Sequence, residues 1–482
     1  MIKTINVRYA LIFTFVMIIM VFGSVTKTFQ NDTFYDIKVG EYIVNHGITT
    51  IEPFSIHDNL KCFPNHWLLT PIIYYIYKCS GFPGLYFFLL LWTCLIFSLL
   101  YVTCLKVSSN KTISLILSSV AIFTLIDFIT LRAQVFSYAL FILQIYFIES
   151  FLKDGKNKWL ILLPIISLII INIHYGVWPF YFILFLPYFI NMFGITIGRF
   201  SCQKIPHLKK LFFPFIFGGI IGLINPFGLE QIGIIIKSNS NSTPLAINEF
   251  LSPNFKGPIG LNLFFFSALV FTLFLITKNQ IKIHHFFLLL GTIFMSLISV
   301  RHSALFFIIA TIICSEYIAE LVKTCNINKH NIFPKPSWIQ IVLLCCSFSL
   351  YTVPALFQWK YIESKAYPVE AVKYIKQNED LTTMRIYNQY DFGSYLLLNN
   401  IKVFIDSRGE PYTNMYSPKV EIVKDYFDCE RVNVYHRKVF DKYKLNCALV
   451  YKTDLIDTIL SRDSGFKKSY EDSNFVFYKK IY

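Results

Sequence analysis

Between Asn31 and Thr70 the sequence reads NDTFYDIKVGEYIVNHGITTIEPFSIHDNLKCFPNHWLLT, and this stretch carries Asp32, Asp36, Glu41, His46, Glu52, His57, Asp58 and His66. Carboxylates and imidazoles are the side chains that most often accept and return protons in catalysis. Asp32 and Asp36 stand one helical turn apart, so a helix would put both carboxylates on one face. A stretch this polar between apolar segments cannot lie in hydrocarbon, where its backbone would find no partners. It belongs at a membrane surface, where it can form the floor of an active site.

More chemistry-bearing residues recur at the ends of apolar segments: Asp127, Arg132-Ala133-Gln134, Asn172, His174-Tyr175-Gly176, Asn225-Pro226-Phe227-Gly228, Asn248-Glu249 and Arg301-His302. Ionisable groups near membrane depth are costly and mark sites or water-filled cavities. Lone amides such as Gln134 or Asn172 also have a simpler use, tying helices together by hydrogen bonds. The gathering of these groups toward one side of the membrane argues for a site.

The elements that must position them are membrane spans. The chain is 55% hydrophobic, 18% aromatic and only 15% charged, outside the range of soluble globular domains. About eleven apolar segments approach or exceed a bilayer-crossing length: roughly 8–26, 84–105, 112–130, 134–152, 158–172, 175–196, 211–225, 261–277, 284–300, 303–322 and 337–357. The first resembles a signal peptide without a clear cleavage site and reads as a retained span. His66–Ser80 is apolar but short and reads as an interfacial helix. With the N-terminus in the cytoplasm, the inside loops hold Lys3/Arg8, Lys106/Lys111, Lys153/Lys156/Lys158, Arg199/Lys204/Lys209/Lys210, Lys278/Lys282 and Lys323/Lys329/Lys335. The short outside loops hold only Arg132, Lys237, Lys256 and Arg301. This positive-inside bias accounts for the net charge of +15 without nucleic acid. It puts the Asn31–Thr70 loop and residues 360–482 on the extracytoplasmic side.

Residues 360–482 are rich in Lys, Asp, Glu and Tyr and read as a small α/β domain with its own core. Helices are predicted at Val369–Gln377 and Pro418–Phe427, and strands at Met384–Tyr387, Lys402–Ile405, Asn446–Tyr451 and Asn474–Lys479, with Tyr390–Leu398 helix or strand. Asp391-Phe392-Gly393 lacks the glycine-rich and catalytic loops of a kinase. The fold class is therefore an all-α polytopic membrane domain, residues 1–358, with a small α/β extracytoplasmic domain. The eleven cysteines show no zinc-type spacing. Cys62 with Cys79, or Cys429 with Cys447, could bridge, but buried free thiols are the simpler reading.

The first loop, DTFYDIKVGEYIVNHGI…EPFS…NHWL, resembles that of a broad bacterial family of GT-C-like membrane proteins, where it runs approximately D-x-W-W-H-x-x-x-G-x-x-I-x-x-H-G, D-x-F-S and E-W-L. The resemblance continues in order through RAQVFSYALF, INIHYG, INPFGLE, INEFLSP, VRHSALF, IYNQYDFGSYLL and VFIDSRGEPY. Asp36 stands where the family often has His, Glu52 where it has Asp, His66 where it has Glu, Ala133 where it has Pro and Ser407 where it has Gly. If His66 replaces a catalytic acid, that role passes to Asp32, Asp36 or Glu249.

The resemblance implies an inverting glycosyltransferase that moves a sugar from a polyprenyl-phosphate carrier to an extracytoplasmic acceptor. Asp32 matches the family's first-loop Asp and would be the base, with Asp36 in reserve; the structural alternative for Asp32 is a helix N-cap. Arg132 and Arg301 would bind the lipid phosphate through paired donors, or only anchor helix ends at the headgroups. His174 and His302 would donate beside them, and Gln134, Asn172, Glu249 and His66 complete the substrate-binding set. Asp406 and Arg408 suit a turn-fixing pair. No spacing demands a metal, although first-loop carboxylates could hold Mg²⁺ or Mn²⁺. The competing readings are a surface-polysaccharide polymerase or ligase using a lipid-linked oligosaccharide, and a non-catalytic transporter or scaffold; a transporter should show internal repeats and midplane polar groups, which the sequence lacks.

Overall fold

The computed structural model describes residues 25, 27–202, 204–240, 248–325, 360–416 and 419–481. The expected spans 8–26 and 337–357 fall essentially outside these residues. The chain divides into two compact units, one containing residues 86–232 and the described part of 246–359, the other containing residues 27–85 and 360–482.

The first unit is helical. Five apolar runs among the described residues are long enough to cross a bilayer: Thr70–Ser108, Ala133–Asp154, Tyr175–Met192, Pro258–Ile276 and Val300–Thr324. Shorter apolar helices at Lys111–Thr124, Lys158–Ile173 and Ile283–Ile298 accompany them. With Phe212–Ile221 for the 211–225 segment, each expected span between 84 and 322 has a helical counterpart, several shorter than the sequence suggests. The 112–130 segment stops at Thr124 and turns through a 3₁₀ piece, Ile126–Phe128. The 175–196 segment is stepped into Trp178–Ile183 and Leu186–Phe189, each with a proline in its first turn, because Pro lacks the N–H that would carry a helix through. Ser303–Thr324 is the central helix, packed against Lys111–Thr124, Pro258–Ile276 and Ile283–Ile298, and every residue from Ser303 to Ser315 is buried.

Close helix packing relies on small residues, as expected where burial from lipid supplies little drive. Ser167 donates to the Gly218 carbonyl at 2.8 Å, and a Cβ on Gly218 would lie 2.5 Å from the Tyr181 ring. Three two-residue strands, β1 Thr196–Ile197, β2 Phe200–Ser201 and β3 Ile281–Lys282, form a small patch at one end of the helices.

The second unit is built on a four-stranded sheet. Its strands are β4 Ile386–Asn388, β5 Cys447–Tyr451, β6 Phe466–Glu471 and β7 Phe475–Lys480, in the order β4-β5-β7-β6. β4 runs parallel to β5 and the other pairs are antiparallel. Helices Val369–Asn378 and Ile422–Glu430 and strands β4, β5 and β7 stand close to where the sequence puts them, and Tyr390–Leu398 is helical. β6 and the helices His436–Lys442 and Leu455–Leu460 are additions.

Lys402–Ile405 is a correction: it is not a strand but holds one isolated bridge, Val403 to Ser55. The Asn388 side chain takes the backbone places a partner strand would fill, accepting from Phe404 N at 2.9 Å and donating to Ile405 O at 2.7 Å. The run VFID is a buried loop stitched by an amide.

The polar first loop is part of this unit. Residues 31–46 form a helix, Asn31–His46, and Ile56 and Leu60 join the core built by Tyr387, Phe404, Tyr426 and Val450. The 70–80 segment is helical, as expected of His66–Ser80, and Gly81 breaks its run toward Ser108 with φ 60° and ψ −156°, a conformation only glycine adopts without cost. Cys62, Cys79, Cys429 and Cys447 are free thiols.

The glycine of YDFGSY has a packing reason: a Cβ on Gly393 would lie 2.2 Å from the Ile405 carbonyl oxygen. Gly393→Ala is therefore expected to destabilise this unit by roughly 1–3 kcal/mol, read as a lower denaturation midpoint of the purified protein.

Candidate active site

In the helical unit, residues from separate helix ends come together. Gln134, Ser137, Tyr138 and Phe141 from Ala133–Asp154, His174 and Val177 from the turn after Lys158–Ile173, Phe180 from Trp178–Ile183, and Arg301, His302 and Leu305 line one open cleft. The local causes are readable. His174 ends its helix in a non-helical conformation (φ −156°, ψ 71°), and its Nδ1 meets Ser137 Oγ at 2.8 Å. Arg301 and His302 form the 3₁₀ turn entering the central helix. The Arg301 guanidinium stands over the Phe250 ring, 4.9 Å from its centroid, and the His302 ring lies 5.2 Å from that of Phe180. A guanidinium, two imidazoles and an amide over apolar walls suit an anionic headgroup attached to a hydrocarbon chain.

Beside the cleft residues, Arg132 forms an ion pair with Glu249. The turn bearing Glu249 is fastened to the next helix end by Ser299 Oγ donating to Glu249 O at 2.8 Å and Val300 N to Leu251 O at 3.0 Å. Asn172 is not among the cleft-lining residues; its amide donates to Leu168 O and Ile224 O, both at 2.9 Å, the helix-tying use of such a group. Ser137 and Tyr138 were legible, since they stand in the RAQVFSY motif, whereas Phe141, Val177 and Phe180 carried no sequence signal beyond being apolar.

In the second unit, Asp32 lies in the first turn of Asn31–His46, where the helix dipole favours a carboxylate. It is not the N-cap; that position is Gln30. Burial raises the Tyr367 hydroxyl, helped by the charges of Asp32 and Asp391, so both carboxylates stand near that ring. Asp36 is 1% exposed and its Oδ1 lies 3.1 Å from His66 Nδ1. Two of the five residues that depart from the family pattern thus face each other as an imidazole–carboxylate pair. Asn31 clasps the tail on both sides, donating to Tyr390 O at 2.9 Å and accepting from Ser394 N at 3.0 Å.

The motifs EPFS and VFIDSRGEPY meet around Arg408, which is 7% exposed. Its Nη2 donates to Glu52 Oε1 at 2.7 Å and its Nε to Asp406 Oδ1 at 2.8 Å. Asp406 also accepts from Tyr412 OH at 2.6 Å, and Glu52 from the backbone N–H groups of Phe54 at 2.9 Å and Ser55 at 2.7 Å. The guanidinium stacks on Tyr35, 4.8 Å to its centroid. Burial alone would raise the Glu52 carboxyl, but the Arg408 charge and the bonds from Ser55 and Arg408 hold it below its ordinary value. Burial pushes the Cys62 thiol up to about 12 and the His57 imidazole down to about 4. The expected Asp406–Arg408 pair is present, and it extends to Glu52.

No protein-family model matches the sequence, and no curated relative matches it. Solved structures do. The archaeal oligosaccharyltransferase AglB from Archaeoglobus fulgidus, in complex with an inhibitory peptide and a dolichol-phosphate, aligns at a TM-score of 0.58 with 11% identity, over 92% of this chain and 69% of that one. ArnT from Cupriavidus metallidurans, bound to undecaprenyl phosphate, aligns at 0.56 with 11% identity over 98% of both chains. The chain has the GT-C fold that its motifs resemble, a fold of membrane glycosyltransferases.

The Arg408 cluster sets a pH dependence. Glu52, held low in the fold, contributes stability above the unfolded carboxylate range that is lost as pH falls through its folded value. His57 titrates near 6.5 when unfolded and about 4 when folded, so the unfolded chain takes up its proton first and stability falls between those values. Thermal unfolding from pH 7 to 4 is expected to show a falling midpoint, with His57→Gln removing the upper part of the fall. Arg408→Met leaves two buried carboxylates uncompensated, at a cost of roughly 3–5 kcal/mol.

Proposed function

We propose that this protein is an inverting membrane glycosyltransferase that moves a sugar from a polyprenyl-phosphate carrier to an acceptor hydroxyl on the extracytoplasmic side. The observation carrying the reading is the cleft of Gln134, His174, Arg301 and His302, set in a fold shared with ArnT bound to undecaprenyl phosphate and AglB with dolichol-phosphate. In this reading the N-terminus is cytoplasmic, and the first loop and residues 360–482, which share one compact unit, are extracytoplasmic.

The acceptor oxygen attacks the anomeric carbon, the bond from that carbon to the carrier phosphate breaks, and the carrier leaves as polyprenyl phosphate. Asp32 takes the acceptor proton as the new bond forms. Arg301, with Arg132, balances the charge growing on the departing phosphate, and His174 and His302 donate beside them. Gln134 and Glu249 hold substrate, and Asn172 shapes the turn ahead of His174. Asp36, with His66, is the second candidate base. First-loop carboxylates could take Mg²⁺ or Mn²⁺ as oxygen ligands.

The likeness to AglB, an oligosaccharyltransferase, favours one second reading, with a lipid-linked oligosaccharide as donor. Purified protein in lipid, supplied with radiolabelled polyprenyl-phosphate sugar or with lipid-linked oligosaccharide, separates the two. Asp32→Asn is expected to lower transfer roughly 10²–10⁴-fold with folding intact, and Arg301→Ala by roughly 10²-fold or more. Retained transfer in Asp32→Asn removes Asp32 as the base, and transfer from neither donor removes the enzyme reading.

A further inference from the structure

At the far ends of the helices that carry the cleft lies a second group of chemistry-bearing residues. Gln134 and Glu149 share one helix, separated by about four turns or roughly 22 Å. Glu149, His284 and His285 are all buried, and one potential ligand atom from each lies within 4.8 Å of the other two. His285 Nε2 is 3.6 Å and His284 Nε2 is 3.9 Å from Glu149 Oε1.

Around these atoms the other polar groups are already oriented. His284 Nδ1 faces Asn191 at 3.0–3.1 Å, which leaves Nε2 pointing toward Glu149. His285 Nδ1 faces Tyr317 OH at 3.4 Å and Glu316 Oε2 at 3.6 Å. Glu149 Oε1 accepts from Tyr188 OH at 2.9 Å. A ring nitrogen tied to an amide or carboxylate while the other nitrogen points inward is how metal-binding histidines are held. His284 is 6% exposed, and its Nε2 makes no hydrogen bond among the described residues. A buried imidazole nitrogen left in that condition is costly. The charges agree. Lys282 answers Glu316 at 2.6 Å, whereas among the described residues the ion-pair partners of Glu149 are these two imidazoles.

We propose that Glu149, His284 and His285 bind one Zn²⁺ ion. Two imidazoles and a carboxylate suit zinc, and they argue against Mg²⁺ and Ca²⁺, which prefer oxygen throughout. Zinc–ligand bonds of about 2.0–2.1 Å put tetrahedral ligand atoms roughly 3.4 Å apart, so each imidazole need approach Glu149 by only a few tenths of an ångström, and the two imidazole nitrogens, within 4.8 Å of each other, by no more than a side-chain adjustment. The fourth position is left to water. The ion ties the last turns of Ala133–Asp154 to the first turn of Ile283–Ile298, and Glu316 extends the tie to Ser303–Thr324. These helices, or the turns adjoining them, carry Gln134, Arg301 and His302, so the site would fix the spacing of the cleft from its opposite end. This inference concerns the fold alone and stands or falls independently of sugar transfer.

The test uses the full chain, purified in detergent with a tag that does not bind metal, stripped with chelator, reloaded with Zn²⁺ or Co²⁺ and desalted. About one zinc per chain is expected, with a visible tetrahedral Co²⁺ absorption band. His284→Ala is expected to cut zinc occupancy to about a tenth or less, and Glu316→Gln to weaken affinity roughly 10–100-fold through the outer shell. The His174→Ala/His302→Ala double variant serves as the control and should keep its zinc. Substoichiometric zinc in the unaltered protein with no cobalt band overturns the proposal, even if no variant folds. So does zinc that leaves with His174 and His302 rather than with His284.

Discussion

A single buried guanidinium sets the terms for the second unit of this protein. Arg408 lies between Glu52 and Asp406 and under the ring of Tyr35. A charge taken out of water is tolerable only if its partners are present and well placed, so the polar stretch after residue 30 must fold onto the tail in one register. Glu52 enforces that register further by accepting two backbone N–H groups of its own turn. Neighbouring details follow: the bridge from Ser55 to Val403, the His57 Nε2 contact with Phe404 O at 2.8 Å, and the Asn31 clasp of Tyr390 and Ser394.

In the helical unit the constraint is that polar groups within an apolar bundle must find one another. They do so at both ends. At one end Gln134, His174, Arg301 and His302 share a cleft; at the other, Glu149, His284 and His285 share a buried knot held by Asn191, Tyr188, Glu316 and Tyr317. The first arrangement lines an open cleft. The second is buried in all three of its members, which suits an ion and not a substrate.

Much of the site was visible in the chain. RAQVFSY, INIHYG and VRHSALF each contributed a cleft residue, because a polar side chain at the end of an apolar run is costly wherever it serves no purpose. Asn172 shows how that inference loses resolution: its amide was equally conspicuous and is spent on two carbonyls. The knot at Glu149 left no signal in the sequence because its carboxylate stands far along the chain from the adjacent His284-His285 pair, with no metal-ligand spacing joining them. The false strand at Lys402–Ile405 came from a short apolar run, which records burial and not what fills the backbone's hydrogen bonds; Asn388 fills them here.

By itself the sequence determined a membrane-embedded, predominantly helical chain with an α/β tail and polar groups gathered at helix ends. Those follow from hydropathy, charge bias and residue periodicity, all local properties. Only the tertiary structure decided that Glu52 belongs to Arg408, that Asp36 faces His66, and that Glu149 meets two histidines far along the chain. Pairings between distant residues depend on which helix faces meet and which buried charges must be answered, and neither is written in any one stretch of the chain.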